Sequence, residues 1–203
     1  SGPDRFQLKD GLPRSGLIME NKHSLATHSF GEAQVEIYSS KKALGAAAAD
    51  HAASLIRAAI SHHGRARIVV ATGNSQLELI DALTNQTAVD WKSVEVFHMD
   101  EYIGLSPDHP SSFRYWIRKR VEERVHPARL NYLAGDSSDL DAEIARYSDL
   151  LLSAPLDLAF VGFGENGHIA FNDPGVADFE DPATVKRIIL DEACRRQQAG
   201  EGH

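Results

Sequence analysis

The sequence is nearly free of cysteine: Cys194 is its one cysteine in 203 residues, so no disulfide can form within the chain. Such sparse use of cysteine is typical of a reducing compartment, and we expect a cytoplasmic location. No apolar run approaches the roughly 20 residues that a membrane-spanning helix needs. The N-terminus also lacks a positively charged start followed by an apolar segment, so we expect no secretory signal. We treat residues 1–30 as an N-terminal arm that can be partly disordered.

Positive charge is also scarce. The formal net charge is −8 and the sequence pI is about 5.6, which argues against a nucleic-acid surface. One local group of basic residues is interpreted as a solvated helix face, because two glutamates follow it. The group comprises Arg114, Arg118, Lys119 and Arg120. The chain has no histidine pair at i, i+4 spacing and no cysteine pair, so we expect no metal site.

Strand-like and helix-like segments alternate along residues 31–203, which we take as one domain. Predicted strands cover residues 35–38, 66–71, 94–99, 130–133 and 156–161, and predicted helices cover 40–62, 76–83, 112–125 and 140–152. Ser111 is a candidate cap for the third helix. This alternation predicts an α/β fold with a mostly parallel, twisted, Rossmann-like sheet covered by helices on both faces.

The chemistry-bearing residues follow three of these strands. Residues 72–75, Thr-Gly-Asn-Ser, lie between a strand and a helix, an arrangement that suits phosphate. A second strand ends at Asp100, in the run Met-Asp-Glu-Tyr. A third opens into residues 162–174, Gly-Phe-Gly-Glu-Asn-Gly-His-Ile-Ala-Phe-Asn-Asp-Pro, which contain His168. Because parallel strands end at one edge of a sheet, these segments can meet in one crevice.

Together the three segments resemble the glucosamine-6-phosphate deaminase (isomerase) family, which shares a superfamily with 6-phosphogluconolactonase. Residues 99–105 with His109-Pro110-Ser111-Ser112 are similar to the family's aspartate-bearing loop. Residues 162–174 are similar to its Gly-x-Gly-x-x-Gly-His-x-Ala-Phe-Asn signature, and residues 72–75 to its phosphate loop. The resemblance extends from about residue 35 to the end of the sequence.

The resemblance implies conversion of glucosamine 6-phosphate to fructose 6-phosphate and ammonia, by acid–base chemistry without a metal or other cofactor. Asp100 would move the C2 proton and His168 would open the sugar ring. Asp173 would hydrogen-bond His168, and Asn166 would orient its ring. The substrate would bind at Gly164 and at the phosphate loop, which comprises Thr72, Gly73, Asn74 and Ser75. The expected partner is a small amino-sugar phosphate, and a homo-oligomer is left open.

Two departures from the family pattern leave alternatives open. Asn166 and Asp173 stand where the best-known deaminases have Asp and Glu, which bears on the pH profile and the substrate. The family usually continues with another strand–helix section that supplies a phosphate-contacting lysine, so we expect that C-terminal part to be missing here. The alternatives are a lactonase acting on 6-phosphogluconolactone and a non-catalytic sugar-phosphate-binding protein. Asp100 favours the deaminase, because lactone hydrolysis needs no base for a carbon-bound proton.

Overall fold

The computed structural model describes residues 24–201, and most of the predicted N-terminal arm lies outside this range. The strands are β1 (Ala26–Phe30), β2 (Ala33–Ile37), β3 (Ala66–Val70), β4 (Val94–His98), β5 (Arg129–Asn131) and β6 (Leu158–Phe160). The helices are α1 (Lys41–His63), α2 (Leu77–Thr84), α3 (Phe113–Ile117), α4 (Glu123–Val125), α5 (Leu140–Leu152) and α6 (Glu192–Glu201). Among these described residues, no helix combines the length and the apolar character needed to cross a bilayer.

The central sheet confirms the predicted α/β fold. Its strands are all parallel and lie in the order β5-β4-β3-β6. Strand β3 is buried along its whole length, which fits its near-continuous apolar sequence and its position between two neighbours. The carboxyl ends of β3, β4 and β6 therefore lie side by side at one edge of the sheet.

Helices cover both faces of this sheet, as predicted. Ile68 and Val70 of β3 point into the larger core, which contains residues of α1 and α2. Val69, between them, points to the other face and packs near Phe97 and Tyr147, the latter from α5. The alternation follows from the pleat, because successive side chains of a strand point to opposite faces.

The first predicted strand is present at the expected residues, but it does not belong to the parallel sheet. Residues 33–37 form β2, which pairs antiparallel with β1 in a separate two-stranded hairpin and does not join the parallel sheet. Residues 26–30, predicted as part of an arm, form the other strand of that hairpin. Every residue of β2 is exposed, so the hairpin depends on its own backbone pairing rather than on the core.

The predicted helix at 112–125 is continuous but irregular, since α3 passes through a π-helical segment, Arg118–Glu122, into α4. Ser112, not Ser111, caps it: the Ser112 hydroxyl accepts a hydrogen bond from the Tyr115 N–H at 3.4 Å. The interpretation of the basic group as a solvated face is wrong for Arg114. That residue is buried, because it pairs with carboxylates on neighbouring loops.

Helices α1 and α2 approach each other at Gly45. A Cβ atom added to Gly45 would lie 2.6 Å from Cβ of Glu78 and 2.9 Å from the backbone nitrogen of Leu79. Both contacts are far shorter than van der Waals contact, so only glycine fits. This close approach positions the start of α2, and with it the loop that precedes α2.

Replacing Gly45 with alanine therefore tests the helix contact. In an open helix, alanine is favoured over glycine by about 1 kcal/mol. Here the added methyl group must separate the helices, and we expect Gly45→Ala to lower the free energy of unfolding in urea by about 1–3 kcal/mol. Ala46→Gly at the exposed neighbouring position is the control, with an expected loss of about 1 kcal/mol from helix propensity alone. A Gly45→Ala variant more stable than the wild type would contradict the close packing.

Candidate active site

A pocket of about 170 Å³ lies at the edge of the sheet where β3, β4 and β6 end. Its lining comprises Ala71, Thr72, Gly73, Asn74, Ser75, Met99, Asp100, Phe113, Gly162, Phe163, Gly164, His168, Ala170, Phe171 and Gln198. The structure thus brings together every residue predicted for the site except Asn166 and Asp173, which contact His168 from behind. The convergence of three distant segments is as expected from the strand order.

The loop after β3 presents backbone groups to the pocket. Gly73 has φ +100°, a conformation that favours glycine. The chain then forms a 3₁₀ turn, Asn74–Gln76, that leads directly into α2. The first N–H groups of a helix lack partners within the helix and attract anions. No lysine or arginine is among the described residues that line the pocket, so these N–H groups and nearby hydroxyls are its donors for an anion.

Gln76 fixes this loop against the strand end that precedes His168. Its side chain is buried, and its amide Nε2 donates to the Ser75 hydroxyl at 3.1 Å. The same amide lies 3.5 Å from the carbonyl oxygen of Val161. Gly162 permits the approach, because a Cβ there would lie 3.0 Å from the Ser75 hydroxyl. The loop at residues 72–75 and the loop that carries His168 are therefore held as neighbours.

Asp100 follows β4 and is half-buried at the pocket wall. Burial, with a smaller contribution from the neighbouring Glu101, raises the pKa of the Asp100 carboxyl to about 7. Loss of solvation disfavours the charged form, and a nearby negative charge acts in the same direction. The group therefore carries substantial populations of both protonation states near neutral pH, which suits a residue that accepts and returns a proton.

Glu101 holds the loop that carries Asp100. Its side chain is fully buried and accepts from the Ser112 hydroxyl at 2.7 Å and from the Phe113 and Arg114 N–H groups at 3.1 and 2.9 Å. The Arg114 guanidinium adds an ion pair at 3.3 Å, and the Tyr102 N–H donates at 2.8 Å. Glu101 thus accepts hydrogen bonds from the first N–H groups of α3. This geometry makes Glu101 a support of the loop.

His98 lies two residues before Asp100 but points away from the pocket. Its ring packs between Tyr132 and Tyr147, and its Nε2 accepts from the Leu133 N–H at 2.8 Å. Burial lowers the pKa of His98 to about 4, so the ring is neutral. The residue fixes the end of β4 against the loop after β5.

His168 belongs to a hydrogen-bonded network of Asn166, Asp173 and Asp191. The His168 Nδ1 lies 2.7 Å from Asn166 Oδ1 and 3.2 Å from Asp173 Oδ1. The Asn166 amide Nδ2 donates to Asp173 Oδ1 at 2.9 Å and to Asp191 Oδ2 at 3.0 Å. Asp173 Oδ2 accepts from the Asp191 N–H at 2.9 Å. The predicted contact between Asp173 and the histidine is present, and Asn166 lies closer still.

This network assigns the histidine tautomer. Because the Asn166 Nδ2 faces two carboxylates, its Oδ1 must face the His168 ring, and the ring Nδ1 must carry the proton. The neutral ring then has an unprotonated Nε2 that can accept a proton. Burial acts to raise the pKa of Asp173, but hydrogen bonds from the Asp191 N–H and Asn166, with the nearby His168, outweigh it and hold the pKa below its usual value. Asp173 is therefore a carboxylate.

The backbone around His168 is shaped for close contacts. A Cβ on Gly164 would lie 2.1 Å from the His168 ring, so glycine is required there. Ala170 and Phe171 have φ of +53° and +55°, a conformation that costs non-glycine residues of order 1 kcal/mol each. The Phe171 ring consequently stacks on Phe113, with ring centroids 6.0 Å apart. The strained segment thus supplies an aromatic wall to the pocket.

Sequence reasoning missed the contribution of α6. Asp191 caps this helix, since its Oδ1 accepts from the Cys194 N–H at 2.7 Å. Gln198, one turn further on, lines the pocket, and its Oε1 accepts from the Tyr102 hydroxyl at 2.9 Å. An Asp followed by a helical run is a capping signal, but nothing in it places the helix beside His168. Arg195 and Arg196, by contrast, are exposed, and Arg196 pairs with Glu192.

Helix α6 also brings Cys194 to the histidine. Its side chain is buried, and ligand atoms of His168, Asp173 and Cys194 lie within 4.8 Å of one another. Burial, with the nearby Asp173 and Asp191, raises the pKa of the Cys194 thiol to about 11, so it is protonated. The spacing of these residues along the chain does not reveal this group of potential metal ligands, because Cys194 comes from a separate element.

Comparisons with known proteins agree with the fold. Residues 39–185 match the family described as glucosamine-6-phosphate isomerases/6-phosphogluconolactonase. A glucosamine-6-phosphate deaminase of Exiguobacterium sp. strain AT1b is 40% identical over 144 residues, which are 70% of this chain and 56% of that protein. One of Arthrobacter sp. strain FB24 is 35% identical over 172 residues, covering 82% and 64% respectively. The chain thus spans only part of the length of the curated relatives it matches.

Solved structures give the same result. A monomeric glucosamine-6-phosphate deaminase superposes with a TM-score of 0.68 at 27% identity, over 79% of this chain and 66% of that one. A 6-phosphogluconolactonase from Shewanella baltica superposes with a TM-score of 0.59 at 25% identity, over 65% and 57%. The shared fold therefore extends to proteins with either of two chemistries.

The raised pKa of Asp100 predicts a stability penalty that depends on pH. The pKa of Asp100 is about 7 in the folded state against an ordinary aspartate value of 3.8. Ionisation therefore lowers the stability of the folded protein as the pH rises above about 4, and the whole penalty is present above about pH 7. A shift of three units corresponds to about 4 kcal/mol for a fully buried group. Because Asp100 lines an open pocket, we expect Asp100→Asn to raise the free energy of unfolding by about 1–3 kcal/mol at pH 8 and by nearly nothing at pH 4.

The control is Asp108→Asn, which changes an exposed aspartate that pairs with Arg118. It should alter stability by less than about 0.5 kcal/mol at either pH. Denaturant unfolding at both pH values measures the difference. A destabilised Asp100→Asn variant at pH 8 would mean that the charged carboxylate is favourably solvated, against the burial argued above.

Proposed function

The chain belongs to the glucosamine-6-phosphate isomerase/6-phosphogluconolactonase family, and we propose that it acts there as a glucosamine-6-phosphate deaminase. The observation that carries the proposal is a single pocket that contains Asp100, His168 and the anion-binding loop at residues 72–75. The overall reaction takes up water, releases ammonia and converts the aldose into a ketose. It is therefore an isomerisation coupled to hydrolytic loss of an amine, and we class the enzyme as a hydrolase in that sense.

His168 acts first in the proposed reaction. The cyclic sugar must open before its C2 proton becomes acidic, and opening requires a proton to reach the ring oxygen as one leaves the C1 hydroxyl. The unprotonated Nε2 of His168 accepts the hydroxyl proton and then returns it to the ring oxygen. Asp173 stabilises the transient imidazolium, and Asn166 keeps the ring in orientation through the 2.7 Å contact to Nδ1.

Asp100 then moves a carbon-bound proton. Its carboxylate takes the proton from C2 of the open-chain sugar and delivers it to C1. A proton passes from the amine to the C1 oxygen in the same conversion, so the C1 aldehyde becomes an alcohol while C2 becomes an imine. Water adds to this imine and ammonia leaves, which gives fructose 6-phosphate. A carboxyl with a pKa of about 7 suits both steps, because it is strong enough as a base and releases the proton readily.

The loop at residues 72–75 binds the phosphate in this proposal, and Gly164 lets the substrate approach the backbone. Binding energy from a phosphate remote from C2 can orient the sugar for catalysis. We further propose a cytoplasmic location, from the reduced state expected of Cys194 and the small phosphorylated substrate.

A lactonase is the second candidate, because a solved 6-phosphogluconolactonase shares the fold. Hydrolysis of a lactone needs an activated water and an anion site, which His168 and the 72–75 loop could supply. It gives no role to a half-buried carboxyl with a raised pKa. The presence of Asp100 in the pocket favours the deaminase.

Ammonia release from glucosamine 6-phosphate by this chain tests the proposal. We expect turnover in the wild type, and a loss of at least about 100-fold in kcat for Asp100→Asn and for His168→Gln, since each acid–base group contributes about 10²–10⁴-fold. Calorimetric binding of the sugar phosphate should persist in both variants. Asp108→Asn and His62→Gln repeat the same changes at exposed positions and should retain wild-type turnover.

The other outcomes identify the alternatives. Hydrolysis of 6-phosphogluconolactone without ammonia release would support the lactonase. Binding of the sugar phosphate without turnover of either substrate would support a non-catalytic binding protein. Full ammonia release by Asp100→Asn would show that Asp100 is not the base.

A further inference from the structure

The group formed by His168, Asp173 and Cys194 has a geometry that the proposed reaction does not require. Each side chain is buried, and one potential ligand atom from each lies within 4.8 Å of the others. They offer an imidazole nitrogen, a carboxylate oxygen and a thiol sulfur. We propose that these three side chains form an inhibitory binding site for a thiophilic divalent cation of the Zn²⁺ type.

The distances are close to those that a tetrahedral ion needs. Zn²⁺ binds nitrogen and oxygen at about 2.0–2.2 Å and sulfur at about 2.3 Å. In a tetrahedral arrangement, these bond lengths place two ligand atoms about 3.3–3.6 Å apart. The His168 Nδ1 and Asp173 Oδ1 are already 3.2 Å apart. All three ligand atoms lie within 4.8 Å of one another, so a shift of the Cys194 sulfur by about 1 Å at most brings it to tetrahedral spacing.

The surroundings of the three residues support binding. Asp173 is fixed through its other oxygen, which accepts from the Asp191 N–H at 2.9 Å. The backbone of Cys194 is fixed, because its N–H donates to the Asp191 carboxylate that caps α6. Such outer contacts orient metal ligands and raise affinity. His168 lines the pocket, and the buried Asp173 and Cys194 lie behind its ring.

The donor set selects the kind of cation. Thiolate and imidazole favour Zn²⁺ and similar ions over Mg²⁺ or Ca²⁺, which prefer oxygen ligands. Binding replaces the thiol proton, which is released to solvent, and the cation then bonds to the thiolate. The His168 proton must move from Nδ1 to Nε2, and Nδ1 must leave its 2.7 Å contact with Asn166 Oδ1, so that Nδ1 can donate its lone pair to the metal.

This proton shift explains why the cation inhibits, a part of the inference that depends on the proposed function. With Nδ1 bound to metal and Nε2 protonated, His168 can no longer accept a proton from the sugar. Asp173 is also removed from its contact with the ring. The metal therefore occupies the acid–base pair without taking part in the reaction.

Cobalt(II) titration tests the site without any activity assay. A cobalt–thiolate bond gives a charge-transfer band in the near ultraviolet, and the sequence has one cysteine, so such a band identifies Cys194. We expect this band in the wild type at one equivalent of cobalt, with displacement by zinc. The band should be absent from Cys194→Ser and Cys194→Ala. His168→Gln should bind cobalt with an affinity at least tenfold lower than that of the wild type. His62→Gln should match the wild type.

No cobalt–thiolate band in the wild type would overturn the proposal, whatever the variants do. A band of wild-type affinity in His168→Gln would also overturn it, because the cation would then bind Cys194 without the histidine. Zinc affinity from equilibrium dialysis checks the same set, with at least a tenfold loss expected in Cys194→Ser. Each of these results is independent of whether the chain releases ammonia from a sugar phosphate.

Discussion

The pocket depends on the hydrogen bonds and the ion pair that the buried Glu101 carboxylate makes. It joins the end of β4 to the start of α3, because it satisfies the first N–H groups of that helix and pairs with Arg114. Arg114 in turn reaches Asp136 at 2.8 Å on the loop that precedes α5. A buried charge with this many partners is stable only while all of them stay in place, since loss of one partner from such a pair costs about 3–5 kcal/mol. These contacts therefore hold the loop that carries Asp100 in place. Glu101 also contributes to the raised pKa of Asp100.

A second network of hydrogen bonds holds the His168 ring in place. Asn166 is its centre, since its amide donates to Asp173 and Asp191 while its oxygen faces the His168 ring. An aspartate at this position would place a third carboxyl against the other two and remove both donated hydrogen bonds. The asparagine is thus adapted to this network, and its difference from the best-known deaminase pattern has a local physical reason.

The residues that line the pocket could largely be predicted from the sequence, while their supports could not. Asp100, His168 and the 72–75 loop each follow an apolar strand, and parallel strands end at one edge, so their convergence follows from topology. The burial of Arg114 could not be predicted, because its partners Glu101 and Asp136 lie in separate loops. The pairing of β2 in a hairpin was missed for a similar reason, since five alternating residues do not specify their partner. The position of α6 beside His168 depends on hydrogen bonds between side chains distant in sequence.

Burial at the end of β4 raises the pKa of Asp100 to about 7, and the role of Asp100 as a base that we propose rests on this shift. The most direct test is ¹³C NMR of the protein labelled at the aspartate carboxyl carbons, with the Asp100 signal assigned by its absence from Asp100→Asn. The account predicts that this signal titrates with a midpoint near pH 7. A midpoint near the ordinary aspartate value of about 4 would contradict it, because Asp100 would then be a solvated carboxylate.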